Sequence, residues 1–390
     1  MSYACEMAHT PTINRARVEQ FVQVTVGEDL HAKRVLSLAN AVGGTLAAAT
    51  LGVHAIGHGL AQEYGLNSKH AIKQVDRLLS NGAIDPWQLF AKWVPQVVAA
   101  RKDIVVALDW TEFDRDGHST IVLSLITSHG RATPLVWKTV SKDDLKGRRN
   151  EFEDAVLLRL AETLPNGVNV CVLADRGFGD QKLYEMLYRL RFNFIIRFRG
   201  VVAVTDLKGT SMSAADWVRD DGRALRVSPA LLTSDKTQVG AFVCVHAPKM
   251  KDAWLLACGS NTMTATEAIR LYGKRFTIEE NFRDTKNPRL GLGLSAARTK
   301  STMRRDKLLL VAAMAEVLLT LLGAAAESVG FDRLMKANTV KHRTHSLFRQ
   351  GLYWYGALPN MRQERLATLM TAFDHIVREH AVFTDAFGLI

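Results

Sequence analysis

Residues 103–109 read DIVVALD and residues 168–175 read VNVCVLAD. Each is a short run of β-branched and aliphatic residues closed by an aspartate, which is the pattern of a buried strand. Working outward, STIVLSLIT (119–127) and ATPLVWKTV (132–140) follow the first run and are separated from it by Asp-, Gly- and His-containing turns. These three runs predict an antiparallel meander. A charged helix-favouring stretch from Arg148 to Leu164 precedes the second run. A helix around Gln181 to Leu190 and a strand FNFIIRFR (192–199) come after it.

Three strands, helix, strand, helix, strand is the element order of an RNase H-like domain, although a fold alone does not assign a function. The runs VVAVTDL, RALRVS, GAFVCVHA and AWLLACG then read as a β-rich segment inserted at about 200–258, after which helix resumes near Thr266. Upstream, residues 13–100 read as helices, with Gly43-Gly44, Gly57, Gly65 and Asn81-Gly82 as interruptions or ends. The expected fold class is α/β (α+β). Residues 1–100 are expected to form a helical region, 101–300 a domain carrying the insertion, and 301–390 a helical C-terminal region; the charge, acids and resemblance described below give these the expected roles of DNA binding, catalysis, and DNA contact with dimerisation.

Of the 390 residues, 50 are Lys or Arg and 39 Asp or Glu, a formal charge of +11. That excess points to a polyanionic partner, with nucleic acid the commonest, while leaving open a basic enzyme of another kind. Cys5, Cys171, Cys244 and Cys258 are scattered, without metal-type spacing, as expected of a reduced compartment. The first residues lack a signal-peptide pattern, and the apolar run Leu308–Ala326 contains Glu316, so it predicts a buried helix rather than a membrane span. A cytoplasmic protein is expected. No internal repeat is present.

Asp109 and Asp175, at the ends of apolar strands, are placed to face solvent and a ligand at a sheet edge, or to form turns and caps. On a helical wheel begun at Tyr272, Arg275, Phe276, Glu279, Arg283 and Lys286 fall within about 60° of it, while Glu280 sits at the margin. Ion pairs on a solvated helix would explain these charges but not the aromatics among them. Three acids from separate elements suit Mg²⁺, with Mn²⁺ as substitute, in two-ion phosphodiester chemistry, and adjacent cations suit phosphates.

The spacing Tyr272-x₂-Arg275-x₃-Glu279-x₆-Lys286 resembles the Y-R-E-K signature of the insertion-sequence-four family of bacterial DDE transposases. The stretch YGKRFTIEENFRDTKNPRLGLGLSAART, with KHAIKQVDRLLSN (69–81) and KANTVKHR (336–343), resembles its transposon-ten subgroup. DWTEF around Asp109 and ADRGF around Asp175 stand where that family has its first two catalytic aspartates. The resemblance implies catalytic, metal-binding Asp109, Asp175 and Glu279. It implies cut-and-paste transposition through a hairpin, double-stranded terminal-repeat and target DNA as partners, and a homodimer on DNA. It also implies that Trp254 and Phe276 stack on a flipped base and that Tyr272, Arg275, Arg283 and Lys286 contact DNA. Arg197 and Arg199 are candidate phosphate contacts.

Ser68 is expected to cap a helix to Leu79 that gathers Lys69, His70, Lys73 and Arg77 on one face. With a preceding helix (about 53–64) it reads as a helix-turn-helix, or as an ordinary amphipathic surface helix. The basic stretch Lys336–Arg349 suits phosphates or a solvated face. Gly291-Leu-Gly293 follows a helix rather than a strand and carries no dinucleotide signal. Two further functions stay open: an RNase H-like nuclease or resolvase on branched DNA, and a non-catalytic DNA-binding regulator derived from a transposase.

Overall fold

The computed structural model describes residues 13–378, so Cys5 lies outside the described residues. The described chain divides into two compact units, one of residues 13–99 and 282–378, the other of residues 100–281. The helical stretches expected at either end of the chain are thus parts of one unit.

That first unit begins with α1 (Arg15–Val26), α2 (Ala32–Ala48), α3 (Val53–Tyr64), α4 (Ser68–Ser80) and α5 (Pro86–Val98). Polar residues cap the starts of all but α3. Asp85 accepts from the Trp87 amide ahead of Pro86, and Asn67, not Ser68 as expected, accepts from the His70 amide to begin α4. Ser68 is already the first helical residue, which leaves Asn67 in the extended conformation a cap requires. Gly43, Gly44 and Gly57, expected as breaks, lie inside α2 and α3. They are contact points. A Cβ on Gly44 would lie 2.5 Å from the Ile56 carbonyl oxygen, and one on Gly57 2.6 Å from Ile72 Cα on α4. Gly65 does end a helix, at φ 64°, the left-handed turn that suits glycine.

The second unit is built on β1 (Asp103–Phe113), β2 (His118–Ile126), β3 (Ala132–Ser141), α6 (Arg149–Thr163), β4 (Asn169–Ala174), α7 (Gln181–Arg189) and β5 (Asn193–Arg197). The inserted segment adds β6 (Ala203–Thr205), β7 (Ser211–Ser213), β8 (Leu225–Val227), β9 (Ala230–Leu232), β10 (Thr237–Val239), β11 (Ala241–Val245) and β12 (Trp254–Cys258). The helices α8 (Ala265–Gly273) and α9 (Thr277–Lys286) follow, and the last residues of α9 belong to the first unit. The main sheet runs β3-β2-β1-β4-β5-β12-β11-β8, and β10-β9-β6-β7 form a smaller one. Strands β1 to β3 are an antiparallel meander, and β1, β4 and β5 are parallel. This is an RNase H-like mixed α/β core. The insertion is more than an appendage, because its β12, β11 and β8 extend the core sheet.

The chain returns to the first unit with α10 (Thr302–Ser328), α11 (Leu347–Ala357) and α12 (Gln363–Arg378). Among the described residues α10 is the one single helix long and apolar enough to cross a membrane, and 89% of its most apolar window is buried inside the protein. Its start is tied to the end of α4. Arg304 pairs with Asp76 at 2.7 Å, and the buried Lys307 donates to the carbonyls of Leu79 (3.2 Å) and Asn81 (2.6 Å). A cation there satisfies carbonyls that the helix leaves open and complements its dipole.

Helices α10 and α11 meet backbone to backbone. A Cβ on Gly351 would sit 1.7 Å from the Leu319 carbonyl oxygen, and one on Gly323 1.9 Å from that of Leu347. Gly351→Ala is therefore expected to destabilise the protein by about 1–3 kcal/mol, as overpacking does. Gly356→Ala, in the same helix with nothing within 4 Å, should be neutral or gain up to about 1 kcal/mol. Urea unfolding of both variants measures the contrast.

Candidate active site

The parallel ladder positions the first two acids. Pairing of β1 with β4 ends at Leu108–Ala174, so Asp109 and Asp175 are the next residues on neighbouring strands. Pairing of β4 with β5 ends at Ala174–Ile196, which adds Arg197 to the same edge. Asp109 does not terminate its strand, as the sequence suggested. β1 continues to Phe113 because β2 keeps pairing with it on the other side, with Asp109 opposite Val122. Asp175 leaves the sheet and takes up a local turn, its Oδ1 accepting from the Gly177 amide at 2.7 Å.

The third acid comes from α9. The predicted helix is not one unbroken α-helix, for Lys274–Phe276 form a tighter 3₁₀ turn between α8 and α9. That turn repeats every three residues, which aligns Tyr272 with Arg275. Arg275 is only 6% exposed. Its guanidinium reaches Glu279 Oε1 at 2.8 Å and Asp109 Oδ2 at 3.5 Å. Glu279 and Asp109 are thereby joined through one cation. Glu280 turns elsewhere and pairs with Arg131 at 3.6 Å.

Burial pushes the Asp109 carboxyl up to about 6, opposed by the Arg275 charge and reinforced by the charges of Asp175 and Glu279. The three acids therefore share one electrostatic environment. Among the described residues no three acid, His or Cys side chains are already gathered to hold an ion. Arg275 stands between Asp109 and Glu279 and reaches both, while Asp175 accepts from the Gly177 amide of its own loop. By chemistry the set still suits a divalent cation, with hard oxygen donors and surplus negative charge held partly out of water.

An aromatic group adjoins the acids. Trp254 and Tyr272 meet edge to face with centroids 4.9 Å apart, and Trp254 lies 6.5 Å from Phe276. Phe276 is 45% exposed and Trp254 half-buried, whereas Tyr272 is 1% exposed. Tyr272, expected to contact DNA, instead packs under Trp254 and against the Arg275 guanidinium, 6.0 Å from its ring. Arg197 donates to the Ala253 carbonyl at 2.9 Å, which ties it to the residue before Trp254. Arg199 is exposed. Arg283 is exposed and Lys286 half-buried on α9, both within the first unit.

In that unit Lys69, Lys73 and Arg77 lie exposed on α4, while Ala71, Val75, Leu78 and Leu79 are buried. Of the second basic stretch, Lys336 pairs with Asp332 at 2.7 Å, Arg343 with Glu327, and Arg349 donates to the Leu290 carbonyl at 2.7 Å. Those cations are engaged within the fold. Sequence reasoning missed Glu153 on α6, which is buried and accepts from Trp110 Nε1 at 2.9 Å beside Asp109. The Arg149 guanidinium stands 5.0 Å from the Trp110 ring centre. An isolated acid in a charged helix gives no pattern that would single it out.

A mixed sheet with two acids just past the end of its parallel ladder, and a third on a following helix, defines an RNase H-like protein with an acidic site. Over residues 101–315 the chain matches the transposase DDE domain, and it belongs to that family. No curated protein matches it. The family is one of DNA-binding, DNA-transposing enzymes that use divalent ions, and the chain is a transposase in that sense.

The Asp109 shift has a stability consequence in the metal-free protein. Its carboxyl holds a proton more tightly folded (about 6) than at its ordinary value of 3.8, so its contribution to stability falls as pH rises through that interval. With a chelator at neutral pH, Asp109→Asn is expected to melt above the wild type, and the two should converge near pH 4. Thermal unfolding across pH tests this.

Proposed function

We propose that this transposase is a cut-and-paste enzyme of the insertion-sequence-four family, close to the transposon-ten subgroup. Asp109, Asp175 and Glu279 are its catalytic and metal-binding acids. One observation carries the reading: Asp109 and Asp175 emerge side by side beyond the Leu108–Ala174 pair, and Arg275 links Asp109 to Glu279. The Y-R-E-K spacing supports the family, and the stretch YGKRFTIEENFRDTKNPRLGLGLSAART, with KHAIKQVDRLLSN and KANTVKHR, supports the subgroup.

In this reading the three acids hold Mg²⁺, or Mn²⁺ in its place. When bound, the ions supply Lewis acidity and a more acidic attacking oxygen. Arg275, Arg283, Lys286 and Arg197 neutralise phosphates and orient the strand. Tyr272 supports Arg275 from beneath, while Phe276 and Trp254 stack on a distorted base, at about 1–3 kcal/mol per base. Water nicks one strand at each transposon end, and the freed 3′-OH attacks the opposite strand to form a hairpin. A second water opens it, and the 3′-OH then joins target DNA. The α3–α4 pair serves as a helix-turn-helix, with Lys69, Lys73 and Arg77 toward the terminal repeat. The working form is a homodimer on DNA in the cytoplasm. Residues 1–100, 101–300 and 301–390 correspond to end recognition, chemistry and assembly.

Purified protein incubated with duplexes carrying the element's ends and Mg²⁺ should nick, form hairpins and join strands. Asp109→Asn, Asp175→Asn and Glu279→Gln should each lower cleavage about a thousandfold or more while gel-shift binding persists. Glu279→Gln protein that still cleaves would assign the third acid elsewhere. Branch-selective cleavage without joining would favour a resolvase. Lys73→Ala should weaken end binding and reduce its salt slope by about one unit, leaving cleavage of bound DNA intact.

A further inference from the structure

The acids of the candidate site are bridged by a residue of the chain itself. Arg275 is 6% exposed, and its two terminal nitrogens are directed at Glu279 and Asp109. A guanidinium in that position supplies the positive charge that two neighbouring carboxylates need. Yet the arrangement is incomplete. The 3.5 Å contact to Asp109 is at the limit of a hydrogen bond, and Arg275 Nε is buried with no hydrogen-bond partner. A buried donor left open carries a desolvation cost, so the bridging position is an imperfect one. Beside it runs an aromatic track, with the Arg275 guanidinium 4.7 Å from the centre of the Phe276 ring, and that ring is 45% exposed. The guanidinium has an outward path along a surface that attracts cations.

We propose that Arg275 is an internal counter-ion that competes with the divalent cation for Asp109 and Glu279, and that loading the cation displaces the guanidinium toward the Phe276 side, where it becomes available to a phosphate. This rests on the reading of Asp109 and Glu279 as metal ligands. Two positive groups cannot both occupy the gap between those carboxylates, so occupancy by one opposes the other. By linkage the effect is reciprocal: whatever draws Arg275 outward raises the affinity for the ion, and the ion raises the availability of Arg275. Arg275 is thus a positioning residue whose place depends on whether the acids are loaded. The metal-free protein is spared three mutually repelling carboxylates with no counter-charge.

The test uses Mn²⁺ alone, without DNA, on the full chain. Isothermal titration should give tighter Mn²⁺ binding for Arg275→Gln and Arg275→Ala than for wild type, by about tenfold, within the 5- to 150-fold usual for coupled sites. Thermal unfolding gives an independent readout. Arg275→Gln should be destabilised relative to wild type with a chelator present, and the gap should close at saturating Mn²⁺. A variant folded only when Mn²⁺ is present supports the proposal equally. Unchanged or weaker Mn²⁺ binding by both variants overturns it, as does a variant that stays unfolded at saturating Mn²⁺, because Arg275 would then be needed with the ion in place. If wild type and variants alike bind no Mn²⁺, and Asp109→Asn changes nothing, the metal-ligand reading itself fails, an outcome distinct from equal binding by all.

Discussion

The parallel hydrogen-bonding between β1 and β4 is the constraint on which the rest of the catalytic unit depends. Because the ladder runs out at Leu108 and Ala174, the next residue of each strand is released at the same height. Both of those residues are aspartates. β5 continues the rule one strand over with Arg197. The last ladder pair sets where both acids begin, Asp109 within β1 and Asp175 at the first step of a local turn. The helix that carries Glu279 then has one task, which is to bring a carboxylate to an edge already defined. The 3₁₀ turn at Lys274–Phe276 assists by aligning Tyr272 and Arg275, so that a buried aromatic supports the cation that meets both acids.

Concentrating like charges has an electrostatic cost, and several features of the site answer it. Asp109 is held partly out of water and close to two other acids, which raises its proton affinity. Arg275 offsets part of that cost, and the Gly177 amide offsets another part at Asp175. A Cβ at Gly177 would lie 3.0 Å from the Asp175 carboxylate, so a side chain there would press on that acid. On β1 the side chain after Asp109 is anchored separately, through Trp110 to the buried Glu153.

Much of this was legible in the sequence, because alternation of strand and helix and apolar runs ending in acids are local signals. The meander, the strands before Asp175 and Arg197 and the helix carrying Glu279 all appear where periodicity placed them. What was hidden depends on distant partners. Gly43, Gly44 and Gly57 read as helix breakers, yet they lie within helices whose backbones press together, and the pressing neighbour is invisible to a local window. Tyr272 belongs to a charged signature and so looked exposed; its burial comes from Trp254, eighteen positions earlier. The cations of residues 336–349 suggested an open phosphate grip, but Glu327, Asp332 and a backbone carbonyl claim three of them. Asp109 seemed to end a strand because its hydrophobic run stops there, whereas β2 carries the pairing four residues further.

The way the insertion joins the core sheet ties two chemistries to one mechanical frame. Leu256 pairs with Arg197 and Trp254 lies two residues further along the same strand, so the indole and the acidic edge are fixed by consecutive rungs. A slip of one rung between β5 and β12 would turn the indole to the opposite side of the sheet. The small sheet of β10-β9-β6-β7 lies between β5 and β12 in sequence and is tied to α7 through Gln181, which donates to Thr233 and Asp235. Its Asp206–Gly209 turn is closed locally, the Asp206 carboxylate accepting from the Lys208 and Thr210 amides.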